Sequence, residues 1–159
     1  MTSRRFMMLV VSLALLLVVG CSATDATEDG ALPDDMEKLL DIYEDAVIEG
    51  DEQAFVDLFT EDGVQVDPHG SWSAAVTLEA HVSDGFVYVD FESMERKSAL
   101  VDTEGALSVE WLVTGMTGPE GTEKEPFSTP ITAVFDVEEG LIAKSVTDWN
   151  TSELYYPSE

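Results

Sequence analysis

The sequence predicts an α+β domain in which helices come first and consecutive antiparallel strands follow. Three observations predict it. Apolar residues recur at three- and four-residue intervals between Met36 and Phe59, the period shortens to two from Phe86 onward, and acidic Gly-containing turns separate the later runs. Helices at one end of the chain and strands at the other give one sheet whose inner face the helices cover. The chain has 159 residues, 45% of them apolar, which is enough for a single domain with a genuine core.

The N-terminus is expected to be a signal peptide over residues 1–20. Arg4 and Arg5 precede the apolar run Phe6 to Gly20, which is shorter than the ~20 residues a membrane span needs, and no stop-transfer charges follow it. Ser3-Arg4-Arg5-Phe6 partly matches a twin-arginine signal, so the general secretory and twin-arginine routes both stay open. Val18-Val19-Gly20-Cys21 resembles the lipobox of prokaryotic lipoproteins. That resemblance implies lipidation of Cys21 and an exported, extracytoplasmic protein held to the membrane through its lipid anchor only. A single acyl chain binds membranes marginally, so stable attachment needs the multiple acyl chains of this class. Cys21 is the only cysteine, which excludes an internal disulfide and leaves the core to hold the domain.

Residues 21–33, small and acidic without hydrophobic periodicity, are expected to form a flexible tether, with the domain spanning 34–155. Without residues 1–20 the chain carries 33 acidic against 5 basic residues, a net charge of −28. Such a surface repels nucleic acid and anionic headgroups. The acids are spread along the chain as a solvated surface, and no EF-hand spacing gathers them for calcium.

The first helix is predicted from Met36, Leu39, Leu40, Tyr43, Ala46 and Val47, with Asp34 or Asp35 as N-cap and Gly50 as its stop. A second, from Asp51, carries the stripe Ala54, Phe55, Leu58 and Phe59 and ends at Asp62-Gly63. Val64 to Gly70, VQVDPHG, begins as a strand and ends as a turn. Residues 71–85 fit either period, and a helix stopped by Gly85 is preferred. Strands follow in FVYVDF, MERKSALV, ALSVEWLVTGM, ITAVFDV and LIAKSVTDW. Hairpin turns are expected at Asp102 to Gly105 and at Glu138-Glu139-Gly140, and residues 117–126 form a polar loop.

Taken together, Tyr43, the Gly50-Asp51 break, Phe55-x-x-Leu58-Phe59, the Glu61-Asp62-Gly63-Val64 turn, Asp67-Pro68-x-Gly70, Val109-Glu110-Trp111 and the closing FDVEEGLI hairpin resemble the NTF2-like superfamily. Within it the resemblance is to SnoaL-like cyclases and ketosteroid isomerases, over about residues 34–150. It implies a curved antiparallel sheet forming a cone around the N-terminal helices, an apolar pocket at the wide end, and commonly a homodimer. Ketosteroid isomerases combine an aspartate base with an oxyanion hole made of a tyrosine and a protonated aspartic acid. Asp67 occupies the position of the base, and Tyr43, 24 residues earlier, that of the oxyanion tyrosine. The third group is missing, because the strand before the closing hairpin places Ala133 where an acid belongs. The cyclases often carry a histidine in a G-T-H-T-G segment, where this chain has Gly115-Met116-Thr117-Gly118.

The candidate site is therefore Asp67 and Tyr43, with His69, Trp72, Tyr88, Trp111, Met116, Phe135 and Trp149 as candidate pocket residues. Asp before Pro also initiates turns by bonding backbone amides, and a tyrosine on an apolar helix face also serves as core. His69 and His81 have no further ligand at zinc spacing, so no metal site is expected. No nucleophile elbow, P-loop, dinucleotide fingerprint or zinc-protease helix occurs, and no cofactor is expected. Two functions fit: binding of a small apolar molecule with cofactor-free isomerase, cyclase or dehydratase chemistry, or a noncatalytic interaction or dimerisation module in the cell envelope.

Overall fold

A computed structural model of the chain describes residues 31–155. The expected signal peptide, Cys21 and the tether as far as residue 30 lie outside the described residues. Helix α1 spans Asp34–Glu49 and buries Leu39, Leu40, Tyr43, Ala46 and Val47. Pro33 holds the N-cap position, so Asp34 and Asp35 are first-turn residues, where their charge faces the positive end of the helix dipole. Gly50 ends the helix in the left-handed conformation at φ 65°, which a residue with a Cβ adopts only with strain.

The second helix is shorter than its apolar stripe suggests. Helix α2 spans Glu52–Val56, capped by Asp51, whose carboxylate accepts from the Ala54 N–H at 2.9 Å. Strand β1 then runs Phe59–Asp67, so Asp62-Gly63 lies inside a strand. Main-chain pairing overrides the helical period here: the Ile142 N–H donates to the Leu58 carbonyl at 2.8 Å, and Phe59 pairs with Ile142. The Phe55–Phe59 ring contact survives, with centroids 5.7 Å apart.

Residues 71–85 divide between both readings. Strand β2 occupies Gly70–Ser73 and helix α3 Leu78–Tyr88, burying Leu78 and Val82. The helix passes through Gly85, which keeps a helical backbone, so no strand begins at Phe86. Strands β3 (Val89–Val101), β4 (Leu107–Thr117), β5 (Glu125–Glu138) and β6 (Leu141–Trp149) follow, joined by the predicted turns at 102–105 and 138–140.

The six strands form one sheet in the order β2-β1-β6-β5-β4-β3, antiparallel except for the parallel β1–β6 pair. This is an α+β fold of the ketosteroid-isomerase-like, NTF2-like type. Register shifts in β3 and β5 bend the sheet around the helices. At one of them Gly115 passes so close to the Asp90 carbonyl that an added Cβ would collide with it. Alternation then sorts the strands: Leu107, Val109, Trp111 and Val113 of β4, and Phe127, Ile131, Ala133 and Phe135 of β5, all face inward and are buried.

Arg96 on β3 clasps α1 to the sheet. Its guanidinium donates to Glu37 at 2.6 Å, Asp41 at 2.9 Å and Glu44 at 2.7 Å. These acids sit three and four residues apart on one helical face. Glu44 also accepts the Trp111 indole N–H at 2.7 Å, which supplies that buried ring with its hydrogen bond.

Candidate functional site

Past the buried Phe59 of β1 and Ile142 of β6, these two strands invert the apolar-inward rule that governs β4 and β5. In the second half of β1, beyond Gly63, the buried positions are Gln65 and Asp67, while Val64 and Val66 are only half-buried. On β6, Ser145 and Thr147 are buried while Val146 is exposed. The two strands pair in parallel, Gln65 opposite Ser145, so their polar residues meet on one inner wall. Gln65 Nε2 donates to Thr147 Oγ1 at 3.0 Å, and the Ser145 and Thr147 hydroxyls lie 3.2 Å apart.

Asp67 ends β1 and forms the turn expected of Asp-Pro. Its Oδ1 accepts the N–H of His69 at 2.8 Å and that of Gly70 at 3.3 Å. Its Oδ2 lies 2.8 Å from His81 Nε2 on α3, and the carboxylate side chain is 2% exposed. An ionised carboxylate only accepts, so with Asp67 ionised Nε2 carries the shared hydrogen. The His81 ring is flat against Trp72, with centroids 3.5 Å apart and planes 10° from parallel. Trp72 comes from β2, which pairs it with Gln65. Sequence, turn and helix thus fix both partners of a buried acid–imidazole pair. Three bonds occupy the carboxylate, and about four lone-pair directions exist, which leaves one for a ligand.

Tyr43 enters the same space from α1. It stacks on Trp111 at 5.5 Å and 11° and packs edgewise on Phe135 at 5.4 Å, with its hydroxyl toward Thr147. Burial pushes its phenol well above the ordinary tyrosine range; the neighbouring Thr147 hydroxyl opposes that shift and the Asp67 charge adds to it. Tyr43 is consequently a permanent hydrogen-bond donor within the pH range of folded proteins.

Tyr43, Asp67 and His81 line one cavity of about 140 Å³, whose remaining wall is mostly apolar, including Val82, Phe86, Phe91, Met94 and Ile131. An apolar cavity of roughly 150 Å³ accommodates a benzene-sized molecule. Leu154 and Tyr155 close it from the C-terminal side, where the Tyr155 N–H donates to Thr117 Oγ1 at 2.9 Å. Among the described residues no group of three or more His, Cys, Asp or Glu side chains is placed to hold a metal ion.

Of the residues singled out in the sequence, Asp67, Tyr43, His69 and Trp149 line this cavity. Five do not. Trp111 and Phe135 face inward but lie beneath Tyr43, fully buried in the closed part of the core. Met116 falls on the alternate phase of β4, away from the interior. Trp72 reaches the site only by backing His81, and Tyr88 turns to Tyr155, with ring centroids 5.6 Å apart. Ala133 is buried on the inner face opposite Thr147 but does not line the cavity. Residue-level reading misses His81, Gln65 and Thr147. Each has a signal, a polar side chain at an inward phase, but only once that phase is known.

A family model of the SnoaL-like domain matches residues 39–145. Several solved structures share the fold. A candidate isomerase from Bacillus subtilis aligns with a TM-score of 0.66 at 15% identity, covering 76% of this chain and 91% of that one. A protein of ketosteroid-isomerase-like fold from Catenulispora acidiphila, in complex with trimethylamine, aligns at 0.63 and 15%, covering 74% and 88%. A candidate polyketide cyclase from Xanthomonas campestris aligns at 0.62 and 19%, covering 75% and 93%. A search of curated proteins finds no match.

Proposed function

The chain belongs to the SnoaL-like domain family, and from that premise we propose that it binds a small, largely apolar molecule and moves a proton on it without a cofactor, in an isomerisation, cyclisation or dehydration. The observation that carries this reading is the buried Asp67 carboxylate, which meets the cavity together with Tyr43 and is held by His81 at 2.8 Å. Asp67 takes a proton from carbon next to a carbonyl. The backbone N–H groups of His69 and Gly70 fix the angle of the carboxylate, and His81, braced by Trp72, holds its second oxygen. The Tyr43 hydroxyl donates to the oxygen on which negative charge develops. A preorganised donor in a water-poor cavity stabilises that charge far better than water does. Proximity to the apolar wall supports small substrates with one ring, and the trimethylamine complex of a relative of the same fold agrees with a compact ligand.

The test needs no knowledge of the natural substrate. Deuterium uptake at the α-carbons of cyclohexanone, followed by NMR, is expected to be faster with the protein than in buffer. Asp67→Asn should lower the protein's contribution by about 100-fold or more, the scale of general-base catalysis. Uptake at the buffer rate, or an unchanged rate with Asp67→Asn, rules the reading out.

One observation favours a noncatalytic module instead: Ala133 supplies no acid to the inner face. Self-association or capture of a protein partner, with neither ligand binding nor deuterium uptake, is the outcome that selects it. For the location of the domain, the VVGC segment supports export and lipid anchoring through Cys21. Radiolabelled palmitate should enter the wild-type chain in a bacterial host and not Cys21→Ser; equal labelling of both excludes the anchor.

A further inference from the structure

Two buried polar atoms at the cavity have no partner among the described residues: Gln65 Oε1 and Trp149 Nε1. Both residues line the cavity, and Gln65 is 5% exposed. A buried polar group left without a hydrogen bond costs about 1–3 kcal/mol, so such groups in a folded domain call for an explanation. Gln65 uses its Nε2 on Thr147, which leaves the amide oxygen as an acceptor in want of a donor. The Trp149 indole is a donor in want of an acceptor.

Their placement adds a spacing. Gln65 pairs with Ser145, and Trp149 lies two residues beyond Thr147 on the same inner face of β6, so the two orphans flank the Asp67–Thr147 level of the wall. Four residues of β6 separate the level of Gln65 from Trp149, about 13 Å, a span that a six-membered ring carrying oxygens at opposite ends fills with one hydrogen bond at each end. A ligand that satisfies both atoms therefore presents a hydroxyl at one end and a carbonyl at the other, with its ring carbons between them, over Asp67.

We infer that Gln65 is a specificity-determining residue that selects ring substrates bearing a hydroxyl donor remote from the reacting carbonyl, whose oxygen accepts from the Trp149 indole in addition to Tyr43. This inference rests on the ligand cavity proposed above and names the substrate class that the cavity takes. Neither atom bonds anything within the fold, and Thr147 retains Ser145 as a partner when Gln65 is replaced. A site built to bond a hydroxyl discriminates strongly against the analogue that lacks it, because the buried acceptor then stays unpaired.

The experiment compares 4-hydroxycyclohexanone with cyclohexanone by protein-observed NMR titration of the full chain, its Gln65→Leu variant and its Trp149→Phe variant. The wild type is expected to bind the hydroxyketone about 10-fold more tightly, the scale of one buried hydrogen bond. In Gln65→Leu the preference should vanish while cyclohexanone still binds. In Trp149→Phe both ketones should weaken and the preference should remain, an outcome that loss of packing alone does not produce. Equal wild-type affinity for the two rings, or a preference that survives Gln65→Leu, overturns the inference and leaves the cavity reading intact. Failure of either ring to bind the wild type overturns both.

Discussion

Tyr43 shows how one residue acquires a chemical role from its surroundings. Three aromatic rings and a hydroxyl fix it, and burial together with the Asp67 charge keeps it neutral. The same shift has a thermodynamic counterpart. A phenol whose pKa is raised by folding contributes stability that is complete below its unfolded value of 10.0 and is lost as pH rises through the higher folded value. Urea unfolding should therefore show wild-type stability falling above pH 10 more steeply than that of Tyr43→Phe. Parallel alkaline profiles for the two proteins would contradict a phenol held neutral by burial. The Asp67–His81 pair illustrates the opposite case for prediction, since neither residue stands out alone. Asp67 is visible as a turn former, whereas His81, 14 residues later, becomes its partner only when α3 folds over the end of β1.

At the scale of elements, the site depends on α1 being held to the far side of the sheet. Arg96 of β3 does this through Glu37, Asp41 and Glu44, and Glu44 is the partly buried partner that also serves Trp111. Glu37 and Asp41 are half or more exposed and contribute little, because water screens them. Removing the guanidinium leaves Glu44 charged and short of a partner, so Arg96→Met is expected to cost about 2 kcal/mol in chemical denaturation. Glu37→Gln should cost under about 0.5 kcal/mol. Equal losses in the two variants would show that the clasp works as a diffuse charge effect and not through Glu44. The helix boundaries themselves depended on tertiary pairing. The apolar stripe through Phe59 is real, but β6 recruits that segment as a strand and leaves α2 with a single turn and a half.

For the whole molecule, the dominant long-range term is charge. The chain is at −26 in full and −28 without its first 20 residues, so the folded domain repels itself. Core packing and short-range ion pairs oppose that repulsion without help from an internal disulfide, since the sequence has a single cysteine. Raising sodium chloride from ~0.05 to ~0.5 M shortens the screening length from above 10 Å to a few ångströms, and is expected to stabilise the fold by about 1 kcal/mol, or ~3 °C in Tm. A fall in Tm over that range would mean that attractive ion pairs such as the Arg96 cluster outweigh the net repulsion. The negative surface also favours neutral or cationic ligands over anions at the mouth of the cavity.

The sequence by itself determined the first helix and its glycine stop, the rhythm and turns of the later strands, the Asp-Pro turn, and, through the order of helical and strand periods, the α+β class. These are local quantities, set by backbone preferences and by periods of 3.6 and 2. The tertiary structure alone decided which face of β1 and β6 turned inward. A strand's alternation is symmetrical between its two faces, and a slip of one residue exchanges them. Pairing placed Val64, Val66 and Val146 outward and Gln65, Asp67, Ser145 and Thr147 inward. That choice created the polar wall and brought it under His81.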